Sequence, residues 1–106
     1  MTTRARVAAT SPWFRGHFPG DPILPGIAQL DLVCDLLSRH LGQPARLAAL
    51  TRIKFKKIVR PGETLDIEAR AGNKENVYTF RISRDGEEVC LGTITLAPLS
   101  TTSDTQ

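Results

Sequence analysis

The stretch GIAQLDLVCDLLSRHL, Gly26 to Leu41, decides the fold. Ile27, Leu30, Cys34, Leu37 and Leu41 recur at alternating steps of three and four, the spacing of one helical face. Leu32, Val33 and Leu36 widen that face to most of the circumference. A helix so apolar is expected to be buried on nearly all sides. Gly42 and Pro44 are its stop signals. Asp31, Asp35 and Ser38 interrupt the apolar surface with a thin polar stripe.

Working outward, Ser11 to Pro25 carries four prolines and two glycines, so no helix passes through it. Thr3 to Thr10 before it reads as a short strand. After the helix, Leu47 to Val59 alternates locally, with Ile53 and Phe55 opposite Arg52, Lys54 and Lys56. Pro61-Gly62 marks a turn. Thr64 to Ala71 sets Leu65, Ile67 and Ala69 against Asp66, Glu68 and Arg70. Asn76 to Arg84 and Glu88 to Ala97 flank Asp85-Gly86, a strong hairpin signal. An antiparallel sheet wrapped around one central helix satisfies both periods, an α+β architecture. A single domain spans residues 1–99, and the polar STTSDTQ of Ser100 to Gln106 reads as a disordered tail.

The 106 residues are 41% hydrophobic and 24% charged, the composition of a globular domain. No apolar run approaches the ~20 residues of a membrane-spanning helix. The N-terminus lacks the apolar core of a signal peptide, so the expected compartment is the cytoplasm. Cys34 and Cys90 fit neither a metal-ligand spacing nor a disulfide framework, and no metal or cofactor is expected. So short a chain buries a small core, which pairing with a second copy would enlarge. A net charge of +3 is too mild for a nucleic-acid binder. The basic side chains are unevenly spread, however. Arg52, Lys54, Lys56, Lys57 and Arg60 form a run without an acid, on a body otherwise near neutral. Such a patch suits a small acidic partner.

Three features converge on SPWFRGHFPGDPILPGIAQLDLVCD, Ser11 to Asp35. His17 sits in a loop stiffened by proline and glycine, and imidazole suits proton transfer near neutral pH. Asp31 lies one turn into the apolar helix, where burial would raise its pKa toward that of a general acid. Pro25-Gly26 opens the helix, whose first N–H groups lack intrahelical partners and favour an oxyanion. A base, an acid and an oxyanion site are what proton abstraction beside a thioester carbonyl, with loss of a β-hydroxyl, requires.

GHFPGDPILPG followed by this helix resembles the signature of the 3-hydroxyacyl-[acyl-carrier-protein] dehydratases, a hotdog-fold family. That pattern, H-F-x-G-x-P-[IV]-x-P-G, is followed by Glu or Asp fourteen positions after the histidine, and Asp31 stands there. Pro12-Trp13-Phe14-Arg15-Gly16 resembles the family's aromatic lead-in, and Ile53 to Glu63 its strand and turn. The resemblance implies His17 as the base, Asp31 as the group that protonates the departing hydroxyl or holds the water that forms, and the Gly26 N–H as the carbonyl's polariser. Phe18, Pro19, Ile23 and Pro25 would shape the acyl pocket. It also implies a homodimer, or a higher even oligomer, in which histidine and acid come from different subunits. The implied partner is acyl carrier protein bearing a phosphopantetheine-linked acyl chain, with Arg52, Lys54 and Lys56 as the landing patch. Where the family usually has Gln four residues after the acid, this chain has Asp35. Its brevity resembles the short dehydratases of polyketide-like or aryl polyene pathways. A hotdog thioesterase and a non-catalytic acyl or carrier-protein-binding subunit are the competing functions.

Overall fold

A computed structural model of the chain describes residues 1–8 and 24–98. In chain order these form β1 (Thr2–Arg6), α1 (Gly26–Leu41), β2 (Leu47–Phe55), β3 (Thr64–Ala71), β4 (Val77–Arg84) and β5 (Glu87–Leu96). The strands make one antiparallel sheet in the order β1-β3-β4-β5-β2. One helix packs against one face of this sheet, the hotdog arrangement.

The helix begins where the sequence places it. Pro25, extended at φ −60° and ψ 153°, is the N-cap, and its carbonyl accepts from the N–H groups of Ala28 and Gln29. Gly42 ends the helix in the left-handed region at φ 72°, donating to the Ser38 carbonyl. Glycine adopts that conformation without the clash a Cβ brings. Arg39 and His40 stand in the last turn, favourable to the helix dipole.

The strands alternate as the period of two demands. Leu65, Ile67 and Ala69 of β3 and Phe80 and Ile82 of β4 turn inward and are buried. They meet Leu30, Val33, Leu36 and Leu37 of the helix in one core with Val89, Cys90, Ile94 and Leu96. Each fully buried aliphatic side chain contributes roughly 1.5–3 kcal/mol through loss of apolar surface from water. Asp85 and Gly86, at φ 53° and 82°, close the β4–β5 hairpin with positive φ at both central residues. That is the turn whose twist matches the flanking strands.

Two expectations need correction. The helix is not covered all round in the protomer: Ile27 is 58% exposed, and Asp31 and Asp35 also face outward. β2 is not a simple alternating strand either. Thr51 pairs with Thr93 and Lys54 with Leu91, so β2 carries one extra residue, a β-bulge. Arg52 sits there at φ 55°, a left-handed conformation that a side chain rarely adopts. Beside it, Ile53 folds over Gly92, where an added Cβ would stand 3.1 Å from the Ile53 Cα. A side chain at Gly92 would push the two strands apart.

Both corrections concern one side of the molecule. β2 ends the sheet and has no neighbour on its outer edge among the described residues. Leu47, Leu50, Phe55 and Ile58, on or just beyond this strand, are exposed together with Ile27 of the helix. An unpaired edge beside exposed apolar side chains is the type of surface at which chains associate.

Candidate active site

The site grows from the start of α1. Pro25 contributes no side-chain cap, and the helix has no acid in its first turn, so no carboxylate of that turn competes for its positive end. Gly26 is the first helical residue. A Cβ there would stand 2.6 Å from Phe55 Cζ and 2.9 Å from Cε1, so the absence of a side chain lets the Phe55 ring lie against the backbone. Glycine at this position thus has a local packing reason besides the oxyanion site that the sequence suggests at the helix start. Phe55 itself is 51% exposed.

One turn on, Asp31 lines a mainly apolar recess of about 260 Å³ with Ile27, Leu30, Cys34, Ala45 and Leu47. The carboxylate is exposed in the protomer, contrary to the burial that the helix pattern suggests. Asp31 and Asp35 both act on the Cys34 thiol: burial first, then the two carboxylates, raise its pKa. The opposite helical face holds Gln29, 3% exposed, whose Oε1 is buried with no hydrogen-bond partner. Such an oxygen costs roughly 1–3 kcal/mol of desolvation.

His17, Phe18, Pro19 and Ile23 lie outside the described residues. The chain on either side of them is held by one turn. Val7 donates to the Glu63 carbonyl at 2.9 Å and accepts from the Gly62 N–H at 2.6 Å, while Leu24 donates to the Val59 carbonyl at 2.7 Å. Glu63 Oε1 accepts from the Arg60 N–H at 2.7 Å and from Arg84 Nη1 at 2.8 Å. Arg84 Nη1 also donates to the Ile58 carbonyl at 2.9 Å. Residues 58–63, buttressed by Arg84 from β4, therefore fix both the exit from β1 and the entry to α1.

The basic run is divided by the fold. Lys56 bonds Glu88 at 2.6 Å, and Lys57 lies 3.8 Å from Glu87. Glu88 also pairs with Arg81, and its carboxyl is held below the usual range, first by the Lys56 hydrogen bond. Arg52 and Lys54 form no ion pair among the described residues.

Phe55, Gln29, Glu63 and Arg84 are contributions that the sequence reading missed. Only Glu63 offered a signal, an acid two residues after the proline of a Pro-Gly turn. No helix of the described residues is long and apolar enough to cross a membrane.

Comparison with known proteins agrees with this geometry. The family model of the ApeI dehydratase matches residues 1–93. A 3-hydroxyacyl-[acyl-carrier-protein] dehydratase FabZ of Thermomicrobium roseum is 35% identical over 103 residues, covering 88% of this chain and 69% of its own. Another, from Chloroflexus aggregans, is 42% identical over 71 residues, 60% of this chain and about half, 49%, of its own length. Among solved structures, the dehydratase heterocomplex ApeI:P from Xenorhabdus doucetiae superposes with a TM-score of 0.80 at 32% identity, covering 91% of this chain and 85% of that one. With its single helix on a five-stranded antiparallel sheet and a family match running from β1 into β5, this chain belongs to the ApeI-like dehydratase family.

Proposed function

We propose that this protein removes water from a 3-hydroxyacyl thioester carried on acyl carrier protein, giving the trans-2-enoyl thioester. The observation that carries the reading is the uncapped start of α1, with Asp31 one turn in beside an apolar recess, in a chain of this family. In the reaction His17 takes the proton from the α-carbon. The electron pair moves toward the thioester carbonyl, whose growing negative charge the Gly26 N–H meets at the positive end of the helix. Asp31 protonates the departing β-hydroxyl, the Cβ–O bond breaks, and water leaves as the Cα–Cβ double bond forms. Ile27, Leu30, Cys34, Ala45 and Leu47 receive the acyl chain, with Phe18, Pro19, Ile23 and Pro25 shaping the remainder of the pocket. In the protomer the Asp31 side chain is open to solvent. A second copy lying along β2 would bury it and bring the partner subunit's histidine to it. The protein then works as a homodimer, in the cytoplasm, without metal or cofactor.

Turnover of a 3-hydroxyacyl thioester, followed both by absorbance of the conjugated enoyl product and by free thiol, tests the reading. Enoyl product without thiol release is expected. Thiol release without enoyl product would identify a thioesterase instead, and neither signal would leave a binding subunit.

A further inference from the structure

The polar stripe of α1 has a third member, Ser38, that the catalytic reading does not use. Steps of four and three from Asp31 and Asp35 put Ser38 on their side of the helix. The two acids are exposed, whereas Ser38 is half-buried. Its hydroxyl accepts the Ala45 N–H at 2.8 Å. Its carbonyl accepts from Gly42 at 2.9 Å and from Gln43 at 3.2 Å. Pro44, between those donors, has no N–H to give. Serine is a poorer helix former than alanine, so the helix itself gives no reason for a hydroxyl here. What the hydroxyl does is tie the returning chain back to α1.

That tie places one wall of the recess beside Asp31. Along the helix the recess is lined by Ile27, Leu30, Asp31 and Cys34, and beyond the helix by Ala45 and Leu47. Ala45 and Cys34 are both half-buried and pack against the core. Because Ser38 holds its N–H, Ala45 stands level with the helical turn after Cys34, at the end of the recess away from Gly26. From Asp31 to Ser38 the helix rises about 10 Å. Alanine ends that space with a single methyl group, and a longer side chain there would shorten it.

We infer that Ala45, positioned by Ser38, is the end wall of the acyl recess and sets the length of acyl chain that the protein accepts. The inference rests on the dehydratase reading for what enters the recess. With the β-carbon at Asp31, the tail runs along the helix past Cys34 toward Ala45. About 10 Å holds about seven further carbons, so the substrate class is a 3-hydroxyacyl group of up to about ten carbons. A longer tail meets the Ala45 methyl, and the hydrogen bond to Ser38 keeps that backbone from yielding. Ser38 acts only through Ala45 and is a positioning residue.

The test measures kcat/KM of the full chain on 3-hydroxybutyryl, 3-hydroxyoctanoyl and 3-hydroxydodecanoyl pantetheine. Calorimetry gives Kd for the unreactive pantetheine thioethers with butyl, octyl and dodecyl tails. Wild type should favour the octyl over the dodecyl tail about tenfold in both readouts. Ala45→Leu extends the wall, so the preference for octyl over butyl should fall about tenfold, as for a pocket that loses room for a few methylenes. Ser38→Ala frees the wall, and the penalty on dodecyl relative to octyl should shrink about threefold. Ser38→Thr keeps the hydroxyl and should keep the wild-type ratio. A general loss of stability would lower all chain lengths alike and leave the ratios unmoved. Equal acceptance of octyl and dodecyl tails by wild type, an unchanged ratio in Ala45→Leu, or equal shifts in Ser38→Ala and Ser38→Thr would overturn the wall. Thioether ratios that shift as stated, without turnover of any thioester by the wild type, would uphold the wall and overturn the functional reading instead.

Discussion

Gln29 and Cys90 are two buried groups whose chemistry gives opposite kinds of prediction. Gln29 is 3% exposed and its Oε1 has no partner, so the protomer bears its desolvation unrewarded. Gln29→Leu keeps the volume and removes the unpaired oxygen. It should stabilise the protein by ~1 kcal/mol in urea unfolding. A loss of stability would mean that the amide is satisfied in the assembled protein. Cys90 has no accessible surface, and burial pushes its thiol from an ordinary 9.0 to about 11. The folded chain therefore keeps a proton that the unfolded chain releases. The stability contributed is fully present below pH 9 and is lost as pH climbs toward 11. Denaturant midpoints should fall across that window, and more steeply in wild type than in Cys90→Ala, once the variant's lower stability near pH 7 is subtracted. Parallel slopes would show that the thiol titrates alike in the folded and unfolded chains.

Among elements, the turn at residues 58–63 is the most informative to perturb, because it holds both flanks of the segment containing His17. Arg84, with 19% of its side chain exposed, bonds both Glu63 and the Ile58 carbonyl. Hydrogen bonds to charged groups contribute about 1.5–3 kcal/mol. Arg84→Ala should cost ~2 kcal/mol in denaturant unfolding, and its kcat should fall severalfold at temperatures where the variant is still folded. A stability loss with kcat unchanged would make Arg84 a buttress of the fold alone. The elements themselves are largely legible in the sequence. Steps of three and four give α1 from Gly26 to Leu41, and strict alternation gives β3 from Thr64 to Ala71. β2 is less so, because a bulge is a one-residue offset between two strands and leaves no mark in either strand's own pattern. The offset between Thr51 and Lys54 gives Arg52 a positive φ of 55°, and Arg52 stands beside Arg81 and Thr93 on the face that Lys54 shares through its pairing with Leu91. Arg84 and Glu63 are illegible for a similar reason. They lie 21 residues apart, and only the folded sheet brings them together.

The whole molecule has one side unfinished. The free edge of β2, the exposed Leu47, Leu50, Phe55, Ile58 and Ile27, and the open carboxylate of Asp31 all lie there. The helix pattern points to a buried Asp31 because apolar residues occupy most of the circumference around it. The protomer buries only part of that surface, and the proposed dimer would cover the remainder. Leu50→Asp, with a charge placed on this edge, should shift sedimentation from dimer to monomer and cost at least tenfold in turnover. A dimer that survives the substitution with full activity would place the interface elsewhere.

The central claim, that each site takes His17 from one subunit and Asp31 from the other, has a direct test. His17→Ala and Asp31→Ala proteins, each inactive alone, are mixed in equal amounts, unfolded and refolded together. If pairing is random, half the dimers are mixed and one of their two sites has both groups intact. Turnover should then recover to about a quarter of wild type. If histidine and acid belong to the same subunit, every site in the mixture lacks one of them, and activity that stays at the level of the separate variants would contradict the account.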